Sequence, residues 1–203
     1  MIEVPTRAPI DWSRIGRAVE FYVRQGFTYV ETPWRVFADV VTATKPPEAT
    51  PFRCRLSASR PDILVGSAEQ GLLSVASTLN PDGHYVSVSP CFRDNEVDDI
   101  HFSDFMKVEL MVFEPAAAPS WTSHHLLDAA QRLMYELGLV TTVADTDIGV
   151  DLVSEADGIE VGSYGWRRAV ISGVERTWAY GTGLAEPRFS QALSRQHHSK
   201  ENR

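Results

Sequence analysis

The sequence predicts an α+β domain in which an antiparallel sheet is flanked by helices, and three observations lead to that prediction. Residues 105–112 alternate between a polar and an apolar face, which is the period of a strand lying on a core. Residues 120–137 carry apolar side chains at helical spacing and are followed by Gly138, which is typical of a helix end. The order of the other predicted strands and helices favours an antiparallel sheet.

The first half of the chain is predicted to begin with an amphipathic helix at 11–25, closed by Gly26. Residues 27–33 are rich in β-branched and aromatic side chains and end at Pro33, as an edge or interface strand does. Residues 42–51 contain three prolines and are predicted to form a loop. A helix at 67–79, a strand at 85–91 and a charged loop at 93–99 then precede the alternating strand.

The second half is predicted to return to strands after the long helix. These strands lie at 149–153, 158–164, 169–172 and 177–180, and a last helix runs from about 185 to 197. We expect a single domain over 1–196 and a disordered tail over 197–203, because the tail has nothing to bury.

The amino-acid composition limits the classes of protein to which this chain can belong. A chain of 203 residues that is 43% hydrophobic can bury one large core. No stretch reaches the ~18 apolar residues of a membrane span, and the N-terminus lacks a signal-peptide pattern, so we expect no membrane association and a cytoplasmic location. The two cysteines, Cys54 and Cys91, are interpreted as reduced thiols.

The net charge of the chain argues against broad electrostatic binding of nucleic acid. The net charge is −8, whereas phosphate binding is driven by clustered Lys and Arg. Separated arginines are usually solvated. We interpret two such groups in this way: Arg53, Arg55 and Arg60, and Arg167, Arg168 and Arg176.

Three segments, at 26–33, 92–113 and 178–193, together resemble the signature regions of class II aminoacyl-tRNA synthetases, in the same order. The sequence FMKVELMVF at the end of the second segment is similar to the seryl-tRNA synthetase pattern, and FRDNEVDDIH before it resembles the phenylalanyl enzymes. The third segment, with GTGLAEPR, is similar to the seryl NGSGLAVGR pattern. The resemblance implies a class II catalytic core as the fold.

In the second segment, the resemblance implies that Arg93 binds the α-phosphate of ATP and that adenine stacks on Phe105. An arginine there would neutralise charge in the transition state. The acidic residue that usually follows two places after this arginine is replaced by Asn95, and Glu96 comes one place later. Glu96 is therefore the candidate for the ATP-binding carboxylate, and the role of an acid in this loop is open.

In the third segment, the resemblance assigns Gly181 and Gly183 to the close approach of backbone and nucleotide, and Arg188 to the γ-phosphate. Arg93 and Arg188 are thus the candidate catalytic residues. Upstream, IEVGS is similar to the seryl EISS segment, which implies that Glu160 binds Mg²⁺ and Ser163 a phosphate oxygen. For Glu160 an ordinary solvated carboxylate is the alternative.

An amino-acid site is implied by GSAEQ at 66–70, which resembles the seryl TAE loop. Ser67 keeps the hydroxyl of that loop, Glu69 could accept a hydrogen bond from an α-ammonium group, and Glu109 lies on the same strand face as Phe105. The alternative is that Ser67 caps the following helix and that Glu69 and Gln70 complete its first turn.

Two functions follow from these patterns. The first is an ATP-dependent ligase that joins a small amino acid to AMP and releases pyrophosphate, with ATP and Mg²⁺ as cofactors. The second is a catalytically silent synthetase paralogue that binds a ligand or regulates a partner, which the change at Asn95 favours.

We expect a homodimer, because the segment 26–33 resembles the family's two-fold interface and Trp34 and Phe37 extend it. We also expect a serine-like substrate and a non-standard acceptor, either a carrier protein or a small metabolite. Because the signatures span residues 12 to 193, we expect no separate tRNA-binding domain. A partner subunit could restore tRNA binding, so the involvement of tRNA is left open.

Overall fold

A computed structural model describes residues 9–45, 50–54, 61–94, 98 and 100–201. Helices within them are α1 (Trp12–Arg24), α2 (Ala38–Thr42), α3 (Ala68–Ser74), α4 (Pro119–Glu136) and α5 (Arg188–Glu201), with a 3₁₀ turn at Ala76–Thr78. Strands are β1 (Thr28–Tyr29), β2 (Arg35–Val36), β3 (Ile63–Leu64), β4 (Gly83–Phe92), β5 (Asp104–Phe113), β6 (Thr141–Thr146), β7 (Gly149–Ser154), β8 (Glu160–Ile171) and β9 (Val174–Glu186).

The predicted α+β architecture is confirmed. In the described residues, seven strands form one sheet in the order β1-β4-β5-β9-β8-β7-β6, and β2 pairs with β3 in a second small sheet. Neighbours in the large sheet are antiparallel, except that the short edge strand β1 runs parallel to β4.

Helices α1 and α4 end where the sequence predicted, and glycine is the reason. Gly26 and Gly138 have φ angles of 91° and 92°, a conformation that costs glycine little. At α1 the amide of Phe27 donates to Tyr22 O and that of Gly26 to Val23 O, which is the Schellman arrangement. At the start of α1, Asp11 accepts from the Arg14 amide and caps the helix.

The two faces of the sheet are covered unequally. Helices α1, α4 and α5 pack on one face, where Val108, Leu110 and Val112 of β5 join a large apolar core. On the other face, α2, α3 and the small sheet cover Met111 and Trp178 in a second core. The rest of that face, beside Phe105 and Lys107 of β5, lines a cavity. The alternation predicted for residues 105–112 is therefore confirmed, and it places the polar face of β5 in the cavity.

Several boundaries differ from the predictions. The strands expected at 158–164 and 169–172 are one strand, β8, and the strand expected at 177–180 is the much longer β9. Because β9 continues to Glu186, the last helix begins at Arg188 instead of about 185. That helix continues to Glu201, so residues 197–201, predicted to be disordered, are helical. The chain described by the structure has no helix long and apolar enough to cross a membrane.

Candidate active site

A cavity of about 610 Å³ lies on the open part of the sheet, bounded by α3, the loop after β4 and the start of α5. The predicted site residues that line it come from the second and third segments of the resemblance and from the two further stretches at 66–70 and 159–163: Ser67, Glu69, Arg93, Phe105, Glu160, Ser163 and Arg188. Residues more than 100 positions apart in the sequence thus share one cavity.

At one end of the cavity lie Arg93, Phe105 and Arg188. The guanidinium carbon of Arg93 is 5.0 Å from the centre of the Phe105 ring, and its Nε donates to Gly66 O at 2.9 Å. Arg188, the first residue of α5, donates from Nε to Ile100 O at 3.3 Å. Two cations and an aromatic ring at one end make a site suited to a phosphorylated aromatic ligand.

Glu109 of β5 lies beneath the cavity, and its side chain is fully buried behind Ser67 and Lys107, which line the cavity. Its Oε2 accepts from Ser67 Oγ at 2.7 Å and lies 2.9 Å from Lys107 Nζ. Its Oε1 is buried with no hydrogen-bond partner among the described residues. A buried carboxylate oxygen without a donor is costly, so this atom marks a place where a ligand donor would be stabilised.

The alternatives for Ser67 are distinguished by its hydroxyl. Ser67 does occupy the N-cap position of α3, but its side chain makes no capping hydrogen bond there and donates to Glu109 instead. The first turn is completed by Gln70, whose Oε1 accepts from the Gly66 amide at 2.8 Å. Ser67 therefore belongs to the polar floor of the cavity and positions Glu109.

Glu69 is held differently from the way the sequence suggested. Its Oε2 lies 2.7 Å from Arg167 and its Oε1 accepts from the Trp178 indole at 2.6 Å. Both oxygens are thus already engaged, so these contacts do not support binding of an α-ammonium group by Glu69. The structure places Glu69 as a buried support between α3 and the sheet.

Arg167 and Arg176 correct the interpretation of that arginine group as solvated. The Arg167 side chain is 27% exposed, pairs with Glu69 and lies 4.4 Å above the Tyr180 ring. Arg176 pairs with Glu114 and lies over Phe113. Arg168 is exposed, as interpreted, and so is the Arg53 side chain, which pairs with Asp62; Arg55 and Arg60 lie outside the described residues.

Burial governs the titration of these groups. Burial raises the pKa of Glu69, while Arg167 opposes that rise. Burial is the largest single effect on Arg167 and lowers its pKa, but the charges of Glu69, Tyr180 and Glu109 and the hydrogen bond to Glu69 together raise the net pKa. Burial also raises the pKa of Cys91 to about 11, so this thiol stays protonated at neutral pH and is a poor nucleophile.

Glu160 and Ser163 line the same cavity near Asp151. Burial raises the pKa of Asp151, a hydrogen bond with Ser163 lowers it, and the charge of Glu160 raises it. Glu160 is 3.6 Å from Arg188 and half exposed. No group of three or more His, Cys, Asp or Glu side chains that could hold a metal exists in the described part of the chain. A carboxylate pair still fits Mg²⁺ bound mainly through substrate phosphates and water.

Gly181 and Gly183 do not line the cavity. A Cβ on Gly181 would meet the Tyr164 ring at 2.5 Å, and one on Gly183 would meet the Tyr22 ring at 2.8 Å. Both positions thus open toward the core under α1 and α4, away from the cavity, and the glycines make room for aromatic packing. Glu96 and Asn95 lie outside the described residues.

The side chains of the cavity that sequence reasoning missed include Lys107, Asp151, Arg167 and Tyr180. Lys107 could have been found, because it lies between Phe105 and Glu109 on one strand face. Arg167 could not, since its partner Glu69 is 98 residues away in the sequence.

Two solved structures with a similar fold are seryl-tRNA synthetases. The enzyme from Pyrococcus horikoshii, complexed with ATP, superposes with a TM-score of 0.68 at 21% identity, covering 89% of this chain. The cytoplasmic serine-tRNA ligase from Naegleria fowleri, in complex with AMP, has a TM-score of 0.66 at 15% identity, covering 88% of this chain. The fold is that of a class II synthetase catalytic core.

The chain spans about half of the neighbours' length, 49% of the Pyrococcus chain and 52% of the Naegleria chain. No protein-family model matches the sequence, and no curated protein matches it. At these identities the likeness establishes the fold, and the resemblance of residues 92–101 to the phenylalanyl enzymes stays a prediction.

Proposed function

We propose that this protein activates a small amino acid with ATP, forming an aminoacyl-adenylate and pyrophosphate. The observation that carries this proposal is the buried Oε1 of Glu109, which lacks a donor among the described residues and lies beneath Ser67 and Lys107 of the cavity that Arg93, Phe105 and Arg188 also line. An α-ammonium group would supply the missing donor, and the arginines would bind the phosphates.

The length of the cavity floor fits such a ligand. Phe105 and Glu109 are four residues apart on β5, which corresponds to about 14 Å along a strand. Adenine on Phe105 and an amino group on Glu109 would place the α-carboxylate and the α-phosphate between them, beside Lys107 and Arg93. Such positioning is a large part of the catalytic effect in a reaction of this type.

In the reaction, a carboxylate oxygen of the amino acid attacks the α-phosphorus of ATP, and the bond to the bridging oxygen of pyrophosphate breaks. Arg93 neutralises the charge that develops on the α-phosphate, and Arg188 holds the outer phosphates. Arg93 lies on the Phe105 ring here, so stacking of adenine on that face requires the guanidinium to swing to the phosphate.

Mg²⁺ would be held by Glu160, with Asp151 beside it, and would supply charge neutralisation on the phosphates. Arg188 lies 3.6 Å from the Glu160 carboxylate, so this pair orients the arginine toward the same phosphates. Ser163 donates its hydroxyl to Asp151 or to a phosphate oxygen.

Pyrophosphate exchange tests the proposal. The purified protein, Mg²⁺, ATP and labelled pyrophosphate are incubated with each of the twenty amino acids in turn, and label in ATP is counted. We expect exchange with one or a few small amino acids. Arg93→Ala protein, purified in parallel, controls for contaminating host synthetases. Failure of every amino acid to support exchange, in a folded sample, would refute activation.

For the acceptor, a carrier protein or a small metabolite amine fits the acidic chain better than tRNA alone does. The net charge of −8 supplies little of the phosphate neutralisation on which nucleic-acid affinity depends. Incubation with ATP, the labelled amino acid and either total tRNA or an RNA-depleted extract distinguishes these acceptors. Efficient labelling of tRNA by the protein alone would contradict this part of the proposal.

A homodimer is the assembly that the surface favours. Strand β1 is an edge strand of the large sheet, and the exposed aromatic side chains on it or just after it in the sequence are Tyr29, Trp34 and Phe37. Burying such a patch in a symmetric interface would stabilise it.

The second candidate function is a catalytically silent ligand-binding paralogue. The position of Arg93 favours it, because this guanidinium is already engaged by Gly66 O and by the Phe105 ring. Such a protein would bind ATP or an amino acid, measurable by calorimetry, with no exchange of pyrophosphate. Ligand binding measured by calorimetry together with pyrophosphate exchange would support the first function instead.

A further inference from the structure

The amino-acid end of the cavity is closed by Arg167 and Tyr180. In the register of β5 and β9, Glu109 is opposite Thr182 and Met111 is opposite Tyr180, so Tyr180 lies beyond Glu109 as seen from Phe105. The guanidinium carbon of Arg167 is 4.4 Å from the centre of the Tyr180 ring, and both side chains line the cavity. This stacked pair forms an end wall.

The end wall is fixed by a chain of buried contacts. Arg167 pairs with Glu69 Oε2 at 2.7 Å, and Glu69 Oε1 accepts from the indole of the fully buried Trp178 at 2.6 Å. The Glu69 amide in turn donates to Glu109 Oε2 at 3.2 Å. Arg167 cannot swing away without leaving a buried carboxylate unpaired, which is strongly unfavourable.

We propose that Arg167 is a specificity-determining residue that limits the substrate to glycine, alanine or serine. This inference rests on the proposed function: with the α-amino group on Glu109 and the carboxylate directed toward Arg93, the substrate side chain faces the end wall. A methyl or hydroxymethyl group fits in front of the fixed Arg167 guanidinium, whereas a branched or longer side chain clashes with it. Selection is by size, since the charge of Arg167 is already neutralised by Glu69.

The variants must separate size from charge. Arg167→Ala alone would leave Glu69 buried without its cation, so the charge pair is removed in both members of a matched set. The double variant Glu69→Gln/Arg167→Ala opens the end wall, and Glu69→Gln/Arg167→Met removes the same charges but keeps most of the volume. In both, the carbonyl oxygen of the amide introduced at position 69 can still accept from the Trp178 indole. Circular dichroism and thermal unfolding establish that each variant is folded.

Binding is measured by calorimetry with sulfamoyl-adenosine analogues that carry alanine or leucine in place of the mixed anhydride. We expect the wild type to bind the alanine analogue at least tenfold more tightly than the leucine analogue. The opened variant should lose this preference, and the variant with Arg167→Met should keep it, because pocket size alone changes such ratios by about tenfold or more.

Four outcomes overturn the inference, and they are distinguishable. Wild-type protein that binds both analogues equally leaves the proposed function standing and removes the size limit. An opened variant that still rejects leucine, or an Arg167→Met variant that accepts it as well as the opened one does, shows that Arg167 does not select by size. Wild-type protein that binds ATP but neither analogue refutes the amino-acid site itself and the inference with it.

Discussion

Arg167 and Glu69 are 98 positions apart in the sequence, yet their side chains form an ion pair at 2.7 Å that joins β8 to α3. The pair lies at the edge of a second core and is completed by the indole of Trp178. The backbone amide of Glu69 also donates to Glu109. The ion pair therefore helps to fix the position of α3 relative to Glu109 at the floor of the cavity.

Arg167→Met should destabilise the fold by about 3 kcal/mol, because it leaves the Glu69 carboxylate buried without its cation. Chemical denaturation measures the loss. The double variant Glu69→Gln/Arg167→Met should recover at least half of it, since no buried charge remains. A single variant as stable as the wild type would show that this pair contributes nothing to folding.

The stability of the single variant Arg167→Met should also depend more steeply on pH than that of the wild type. Burial raises the pKa of Glu69 in the folded state, and Arg167 opposes that effect. A raised folded pKa favours folding at low pH, and this contribution is lost as pH rises from the ordinary Glu value of about 4.3 through the folded pKa. Without Arg167 the raised pKa moves further up, so the melting temperature of Arg167→Met should fall more than that of the wild type between acidic and neutral pH. Parallel pH profiles of the two proteins would contradict this coupling.

Local patterns predicted the elements whose signals are contained in a few neighbouring residues. Helices α1 and α4 have regular apolar stripes and glycine ends, and β5 alternates cleanly. Strand β9 was predicted too short, because Gly181 and Gly183 are poor strand formers and are explained only by the rings of Tyr164 and Tyr22 that pack over them. These aromatic contacts come from distant strands and helices.

The candidate site, like the fold, was predicted only in part from the sequence. Arg93, Phe105 and Arg188 belong to recognisable segments, and the structure places all three in one cavity. The supporting contacts of Glu69 and Arg167 are fixed by the packing of α3 on the sheet. No periodicity in either segment carries that information, which is why Glu69 was assigned to the ligand and Arg167 to the solvent.

Arg93→Ala should reduce kcat of pyrophosphate exchange by roughly 10² to 10³, the usual effect of removing a group that neutralises transition-state charge. The fold should be unaffected, because its contacts are with Gly66 O and the Phe105 ring at the cavity. Arg168→Ala is the matched control, since Arg168 is exposed and outside the cavity lining. Equal exchange by the two variants would contradict the role of Arg93.

Glu109→Gln should raise the KM for the amino acid by about tenfold or more and leave the KM for ATP nearly unchanged, because a charge-assisted hydrogen bond to the α-ammonium group is weakened. Steady-state pyrophosphate exchange measures both constants. Glu175→Gln, at an exposed position, removes the same charge without reaching the cavity. An unchanged KM for the amino acid would place the ammonium group elsewhere.

Phe37→Asp should convert a homodimer into a monomer. Phe37 and Trp34 are 52% and 57% exposed and follow the edge strand β1 in the sequence, so a carboxylate introduced there would be buried and unpaired at the proposed two-fold interface. Sedimentation at micromolar concentration should give twice 22.6 kDa for the wild type and 22.6 kDa for the variant. Tyr135→Asp changes a side chain that is 76% exposed on α4, and it should leave the dimer intact. A wild-type protein that sediments as a monomer would contradict the homodimer. A dimer that is disrupted by Tyr135→Asp and not by Phe37→Asp would place the interface elsewhere.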